Sequence, residues 1–421
     1  MSLYNDDELS PPSWINQDFL EKVLVQYENN EFVEVIKYDM SPASMKGDHY
    51  ASIMFRCKVS YRFDKSGSTL EKSLIIKTLP LEEGHKRDLI MDSKAFETEI
   101  AMYTKTLPKI EKILADCGEP TKLSAEIIYH SLEPYKVIIL EDLCESGYSI
   151  VRGRYLTEDE VKAVYRKIAK LHAVSYMLGK SEDHKIVTQH RNGAFTMGSQ
   201  MINDLLIGGI NNFIDLLSCH EEFEPYFEKV KLMKPKIKEA CKELYDAYKL
   251  NNGRGDIFVL NHGDFHMKNL MFKFNKKTHL EDLIMVDFQF SCFAPANIDM
   301  LYSQFMILDS DLRLKRNELM YYYFMGFTKT LEKINYQGEM PLFSEFQMSS
   351  IKYRHFTLFI MSTILPMVVG FLAKPMEDLK DTDAAKLFTN PDLITMMYRE
   401  PKFIEDIRNL LPILLREGYL D

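Results

Sequence analysis

The residues best equipped for chemistry stand together in His262-Gly263-Asp264-Phe265-His266-Met267-Lys268-Asn269, and an apolar run behind them ends in Asp287-Phe288-Gln289. Asp-x-x-x-x-Asn is a spacing that serves phosphoryl transfer, with the Asp at an acceptor hydroxyl and the Asn on a metal ion. Residues 270–274 read as a strand, 275–277 as a turn and 283–286 as the returning strand. Such a hairpin brings Asp287 back beside Asn269, so that Asp264, Asn269 and Asp287 converge on one point. The expectation is a catalytic loop with a magnesium site.

Two other readings stand beside this one. A lone Gly-Asp in a loop is ordinarily a turn. His262, Asp264 and His266 also alternate along what reads as an extended segment, and could hold a hydrolytic metal from one face. That second reading lacks a further set of His or Cys ligands downstream. Phosphoryl transfer makes its own demand on the first half of the chain: a Lys on a strand and a Glu on the helix that follows.

The elements that must position these groups can be read in order. A helix is expected over residues 18–28, then β-rich stretches at 32–36 and 52–61. Between them, Gly47, Asp48, His49, Tyr50, Ala51 and Ser52 form a turn of small residues that could lay backbone N–H groups over phosphates; a plain hairpin turn fits as well. The strand 74–77 ends in Lys77, which alone could be a strand-end charge facing water. Residues 96–103 have apolar groups at helical spacing, and Glu99 on that helix is placed to pair with Lys77. Strands 127–129 and 137–140 follow, and Glu141, Asp142 and Leu143 close the second of them. Thr157 and Glu160 then open a helix with a capping box, in which His172 sits on an apolar face as a structural histidine. Further helices are expected over 201–217 and 234–250, a strand at 258–260, and helices from Asn297 to the C-terminal end.

Composition narrows the class. A chain of 421 residues exceeds one ordinary core, so two lobes are expected. The net charge of −10 argues against nucleic acid or an anionic membrane surface as partner. Six scattered cysteines, without a Cys-x-x-Cys pair, read as reduced and mostly buried thiols. The opening residues show no apolar stretch of a secretion signal, and the cytosol is the expected location. Residues 356–373 are nearly free of charge, but Ser362, Thr363, Pro366 and Gly370 interrupt them, which favours a core helix over a membrane span.

A Gly turn, a strand Lys, a helix Glu, Glu141-Asp142-Leu143, Leu171-His172-Ala173, His262-Gly263-Asp264 with Asn269, and Val286-Asp287-Phe288-Gln289 followed by Pro295 and Asp299 resemble the ecdysteroid-kinase-like family. That family belongs to the aminoglycoside phosphotransferase and choline kinase branch of the protein-kinase-like fold. The resemblance covers about residues 30 to 320. It implies an α+β, two-lobed fold, with a small antiparallel β-sheet lobe with one helix (residues 1–141) that binds nucleotide phosphates. A large, mostly helical lobe (142–421) would carry the catalytic loop, metal site and substrate pocket. It implies ATP and Mg2+ as cofactors, with Lys77, held by Glu99, on the phosphates, Glu141 to Leu143 at the adenine, Asn269 and Asp287 on the metal, and Asp264 as base. The implied reaction transfers the γ-phosphoryl group to a hydroxyl of a lipophilic alcohol, an ecdysteroid or a xenobiotic. Retention of Lys77, Glu99, Asp264, Asn269 and Asp287 together speaks against the rival reading, a catalytically inactive kinase-fold protein that binds a lipophilic ligand. No Ala-Pro-Glu segment is found, which separates the chain from true protein kinases.

Overall fold

The structure is a computed structural model that describes residues 9–43, 52–63, 67–79, 94–191, 193–196, 200–373 and 391–421. Strands β1 (Glu34–Pro42), β2 (Ile53–Arg62), β3 (Leu70–Thr78), β4 (Ile127–Ser131) and β5 (Val137–Glu141) form one antiparallel sheet in the order β1-β2-β3-β5-β4. Helix α1 (Gln17–Glu28) starts at Asn16, whose side chain accepts from the Phe19 N–H, and buries Leu20, Val23 and Leu24. These join Val35, Phe55, Leu74 and Ile139 in a small core. Strand β1 runs further than its apolar pattern suggests. Its register slips between Val35 and Lys37, and residues 36–39 are exposed, so this edge strand has no alternation to read.

The helix expected over 96–103 is α2 (Ala95–Ala101), which widens into a π-type turn (Met102–Thr106) and resumes as α3 (Leu107–Asp116). Pro108 offers no N–H to the resumed helix, and in the wide turn the Leu107 N–H reaches back to the Met102 carbonyl. Thr106 Oγ1 in that turn lies 2.8 Å from Nε2 of the buried His190, which ties the helix to the rest of the molecule.

Beyond the sheet come β6 (Tyr148–Ile150) and the long helix α4 (Glu158–Gly179), whose capping box is formed by Thr157 and Glu160 as expected. Helices α5 (Gln200–Ser218), α6 (Glu224–Met233) and α7 (Ile237–Leu250) follow. The single helix expected over 234–250 is preceded by a 3-10 turn, Lys234–Lys236, because Pro235 cannot donate to an α-helical turn. The functional stretch lies among β7 (Phe258–Asn261), β8 (Leu270–Phe274), β9 (Leu280–Met285) and β10 (Cys292–Pro295). β10 pairs with β7, and β6, β8 and β9 form a separate sheet. Helices α8 (Asn297–Met306), α9 (Arg316–Lys333) and α10 (Pro401–Arg416) are the main later elements.

One large core runs from Phe96 and Ile100 on α2 through α4 to Leu414 on α10. The low-charge run is part of it: Phe356, Ile360, Met361 and Leu365 are buried, and among the described residues no helix is long and apolar enough to cross a membrane. All six cysteines are free thiols, but only Cys57, Cys241 and Cys292 are buried, while Cys144 and Cys219 are exposed on turns. The expectation of mostly buried thiols is corrected to that extent. The architecture is α+β, a two-lobed protein-kinase-like fold.

Candidate active site

Lys77 stands on β3 between Met54 of β2 and Ile138 of β5, near the end of the strand. Its side chain turns inward, 3% exposed, and Nζ lies 2.6 Å from Glu99 Oε2 and 2.9 Å from Asp287 Oδ1. A strand-end charge facing water is therefore excluded. Burial works against the ammonium, but Asp287 and Glu99 outweigh it and keep the lysine protonated above its ordinary range. Two carboxylates share this one cation. Burial pushes the Glu99 carboxyl up, Lys77 pulls it back, and the charge of Asp287 adds to the rise.

Asp287 has φ +65°, the left-handed region, which few residues without a glycine's freedom adopt. Gln289 reaches back to it, Nε2 donating to Oδ2 at 3.3 Å. The same turn sends Phe288 inward, its ring centroid 5.6 Å from Tyr103 of the π-type turn and 4.7 Å from His262.

The loop after β7 is held by its backbone. Asp299, at the start of α8 and fully buried, accepts the His262 N–H at 2.6 Å and the Gly263 N–H at 2.9 Å. His172 Nε2 lies 3.2 Å from the same carboxylate, and its Nδ1 lies 2.8 Å from the Tyr323 hydroxyl, so His172 is the structural histidine expected. Gly263 has φ +84°, and a Cβ there would meet the Phe290 carbonyl oxygen at 2.0 Å. Only glycine fits this position. That kink also removes the alternation on which the hydrolytic-metal reading rests. His262 is buried, its Nε2 3.0 Å from the Val286 carbonyl, and among the described residues no group of three or more His, Cys, Asp or Glu could hold a metal ion.

Asp264 and Asn269 face each other. The Asn269 amide donates to the Asp264 carbonyl at 2.9 Å and to its Oδ2 at 3.2 Å. The Val286 N–H bonds the Asn269 carbonyl at 3.0 Å, which sets Asp287 beside Asn269 as the hairpin argument requires. Tyr302 of α8 donates to Asp264 Oδ1 at 3.3 Å, and His266 Nε2 lies 3.3 Å from Oδ2. Burial favours the neutral acid, yet His266, His262 and the Tyr302 hydroxyl together hold the Asp264 carboxyl at about 2.

With its N–H2 turned to Asp264, Asn269 has its amide oxygen left for a cation, and Asp287 adds a carboxylate. Two hard oxygen donors without a full protein cage suit Mg2+, which fills its remaining positions with water and substrate phosphates. At the expected hinge, the Asp142 carboxylate takes Arg56 Nε at 2.6 Å and Ser73 Oγ at 2.7 Å. Glu141 pairs with Lys122 and accepts the Glu126 N–H at 2.7 Å, and the Leu143 carbonyl is taken by the Ser146 and Tyr148 amides. Ser52 is buried at the head of β2, while Gly47, Asp48, His49, Tyr50 and Ala51 lie outside the described residues.

Sequence reasoning gave Gln289 of the Asp-Phe-Gln run no role and missed Tyr302, which could have been sought one helical turn after Asp299.

Solved structures similar to this chain include a spectinomycin phosphotransferase in complex with ADP and spectinomycin, at 14% identity and TM-score 0.38, covering 92% of this chain and 99% of that one. An ethanolamine kinase of Plasmodium vivax is similar at 15% identity and TM-score 0.40, with 93% and 91% covered. No curated protein matches the chain. The model of the ecdysteroid kinase-like family matches residues 46–336, most of the chain and all of the site described above. The chain belongs to the ecdysteroid kinase-like family.

Proposed function

We propose that this protein is an ATP- and Mg2+-dependent small-molecule kinase that transfers the γ-phosphoryl group to a hydroxyl of a lipophilic alcohol, an ecdysteroid or a xenobiotic. The observation that carries the reading is the meeting of Lys77, Glu99 and Asp287 at 2.6 and 2.9 Å, from elements far apart in the chain, beside Asp264 and Asn269. In this reading residues 1–141 bind the nucleotide phosphates, and residues 142–421 carry the catalytic loop, metal site and substrate pocket. The Lys77 ammonium has three N–H donors, and Glu99 and Asp287 engage two of them, which leaves one for a phosphate oxygen. Asn269 and Asp287 would hold Mg2+, which when bound offsets charge on the phosphoryl oxygens. Asp264 receives the proton of the acceptor hydroxyl as its oxygen bonds to phosphorus. The bridging bond to ADP breaks with its electron pair on the ADP oxygen. Membership of a family named for ecdysteroid kinases supports a lipophilic acceptor.

The test is ATP consumption by the purified protein with Mg2+, with and without a panel of ecdysteroids and other hydroxylated lipophiles, with Asp264→Asn as control. Stimulation by one compound, together with its phosphorylated product by mass spectrometry, is the expected result. Absence of nucleotide binding would end the reading.

A further inference from the structure

The hydrogen bonds around Asp264 also indicate from which side an acceptor reaches it, an inference that rests on the phosphotransfer reading above. An ionised carboxylate offers about four lone-pair positions, two on each oxygen. Oδ2 is covered from both sides: Asn269 Nδ2 donates to it at 3.2 Å, and His266 Nε2 lies 3.3 Å away. His266 is itself fixed, because its Nδ1 accepts the Lys268 N–H at 3.2 Å, which leaves Nε2 as the protonated nitrogen turned to Asp264. Oδ1 accepts only from the Tyr302 hydroxyl, at 3.3 Å, among the described residues. The Asp264 side chain is 24% exposed, and among the described residues Oδ1 is the oxygen that keeps a lone pair unengaged.

Tyr302 is placed by the same helix that places the loop. Asp299 holds the backbone of His262 and Gly263, and Tyr302, three residues on and so on the same face of α8, holds the carboxylate that follows them. We propose that Tyr302 is a positioning residue of the transfer: its hydroxyl fixes Asp264 so that the acceptor hydroxyl binds Oδ1, on the α8 side of the loop, and gives its proton there. In the transfer the acceptor oxygen bonds to the γ-phosphorus of ATP and the bond to the ADP oxygen breaks. The acceptor pocket is then bounded by α8 and by what packs on it. Behind α8, Tyr245 lies near Tyr302 and Cys292, with the Phe356 ring 6.0 Å from it.

Tetrafluoroaluminate with MgADP tests this without knowing the natural acceptor, since its axial oxygen stands in for the attacking hydroxyl. The expected crystal structure of the full chain has that oxygen within hydrogen-bond distance of Asp264 Oδ1, beside Tyr302. In solution, Tyr302→Phe is expected to leave ADP affinity within about twofold while reducing the tightening by fluoroaluminate about tenfold, the scale of one hydrogen bond to a charged group. An axial oxygen on Oδ2, or equal tightening in Tyr302→Phe, overturns the assignment, and so does a wild-type protein that binds MgADP with no fluoroaluminate complex. Failure to bind ADP at all is a different result, which removes the phosphotransfer reading itself. Should Tyr302→Phe not fold, the position of the axial oxygen in the wild-type complex still decides.

Discussion

The two halves of the site are held by opposite means. Lys77 and Glu99 are 3% and 1% exposed, and their geometry depends on side-chain charges locked inside the protein. Asp264 is 24% exposed, and its position is inherited from a backbone that Asp299 grips from below. The first arrangement joins function to stability, because removing a charge leaves its partner stranded in a dry place. The second separates them, because the Asp264 carboxylate can change while the Asp299 carboxylate that holds the loop stays.

The comparison can be broken by variants on either side. The largest expected effect is in the open half: Asp264→Asn should lower turnover by about 10²–10⁴-fold, with nucleotide affinity and thermal unfolding nearly unchanged. A comparable loss of nucleotide affinity would count against the role of Asp264. In the dry half, Lys77→Met should cost about 3–5 kcal/mol of stability in denaturant unfolding, since Glu99 is left buried without a cation. Lys77→Met combined with Glu99→Leu should recover most of that loss while remaining inactive. A single and a double variant of equal stability would show that the pair is not coupled.

A smaller effect is expected from pH, again in the dry half. Burial lowers the His190 imidazole to about 4, and this ring holds Thr106 in the wide turn after Glu99. The unfolded chain takes up its proton near 6.5, before the folded one does. The neutral histidine therefore contributes stability above that pH, and up to about 3 kcal/mol is lost as pH falls from about 6.5 through about 4. His190→Gln should flatten that part of the stability–pH curve, and an unchanged slope would refute the assignment. The smallest effect should come from Gln289→Ala, which removes one hydrogen bond to Asp287 and should weaken Mg-nucleotide binding by about tenfold, with little change in melting temperature.

What could be read in the chain was what lies close together in it. Asp264 and Asn269 belong to one short spacing, and Asp287 follows through a hairpin whose strands announce themselves. Lys77 and Glu99 each sit at the natural end or face of a patterned element, so their meeting followed from a sheet with a helix packed on it. Tyr302 was harder. Its helix was legible, but which turn faces the loop depends on how α8 packs, and a Tyr on an apolar helix looks like core. The π-type turn at Met102–Thr106 was hidden for a related reason, since one extra residue per turn barely disturbs an apolar repeat. The Asp142 side chain illustrates a third limit: the motif marked the position, but its carboxylate serves Arg56 and Ser73 of the sheet.

The division of the interior into two cores has a mechanical consequence. Glu99 rides on a helix whose apolar residues, Phe96, Ile100 and Tyr103, are packed into the large core, whereas β1, β2 and α1 close over the small one. The sheet belongs to both packings: Ile139 of β5 lies in the small core, while Ile138 and Leu140 of the same strand pack into the large one. Lys77, opposite Ile138 in the strand register, and Glu99 on α2 thus meet on the side of the sheet that the large core covers. Their 2.6 Å ion pair is then a clasp between sheet and helix, and its making and breaking would report whether the two stay packed.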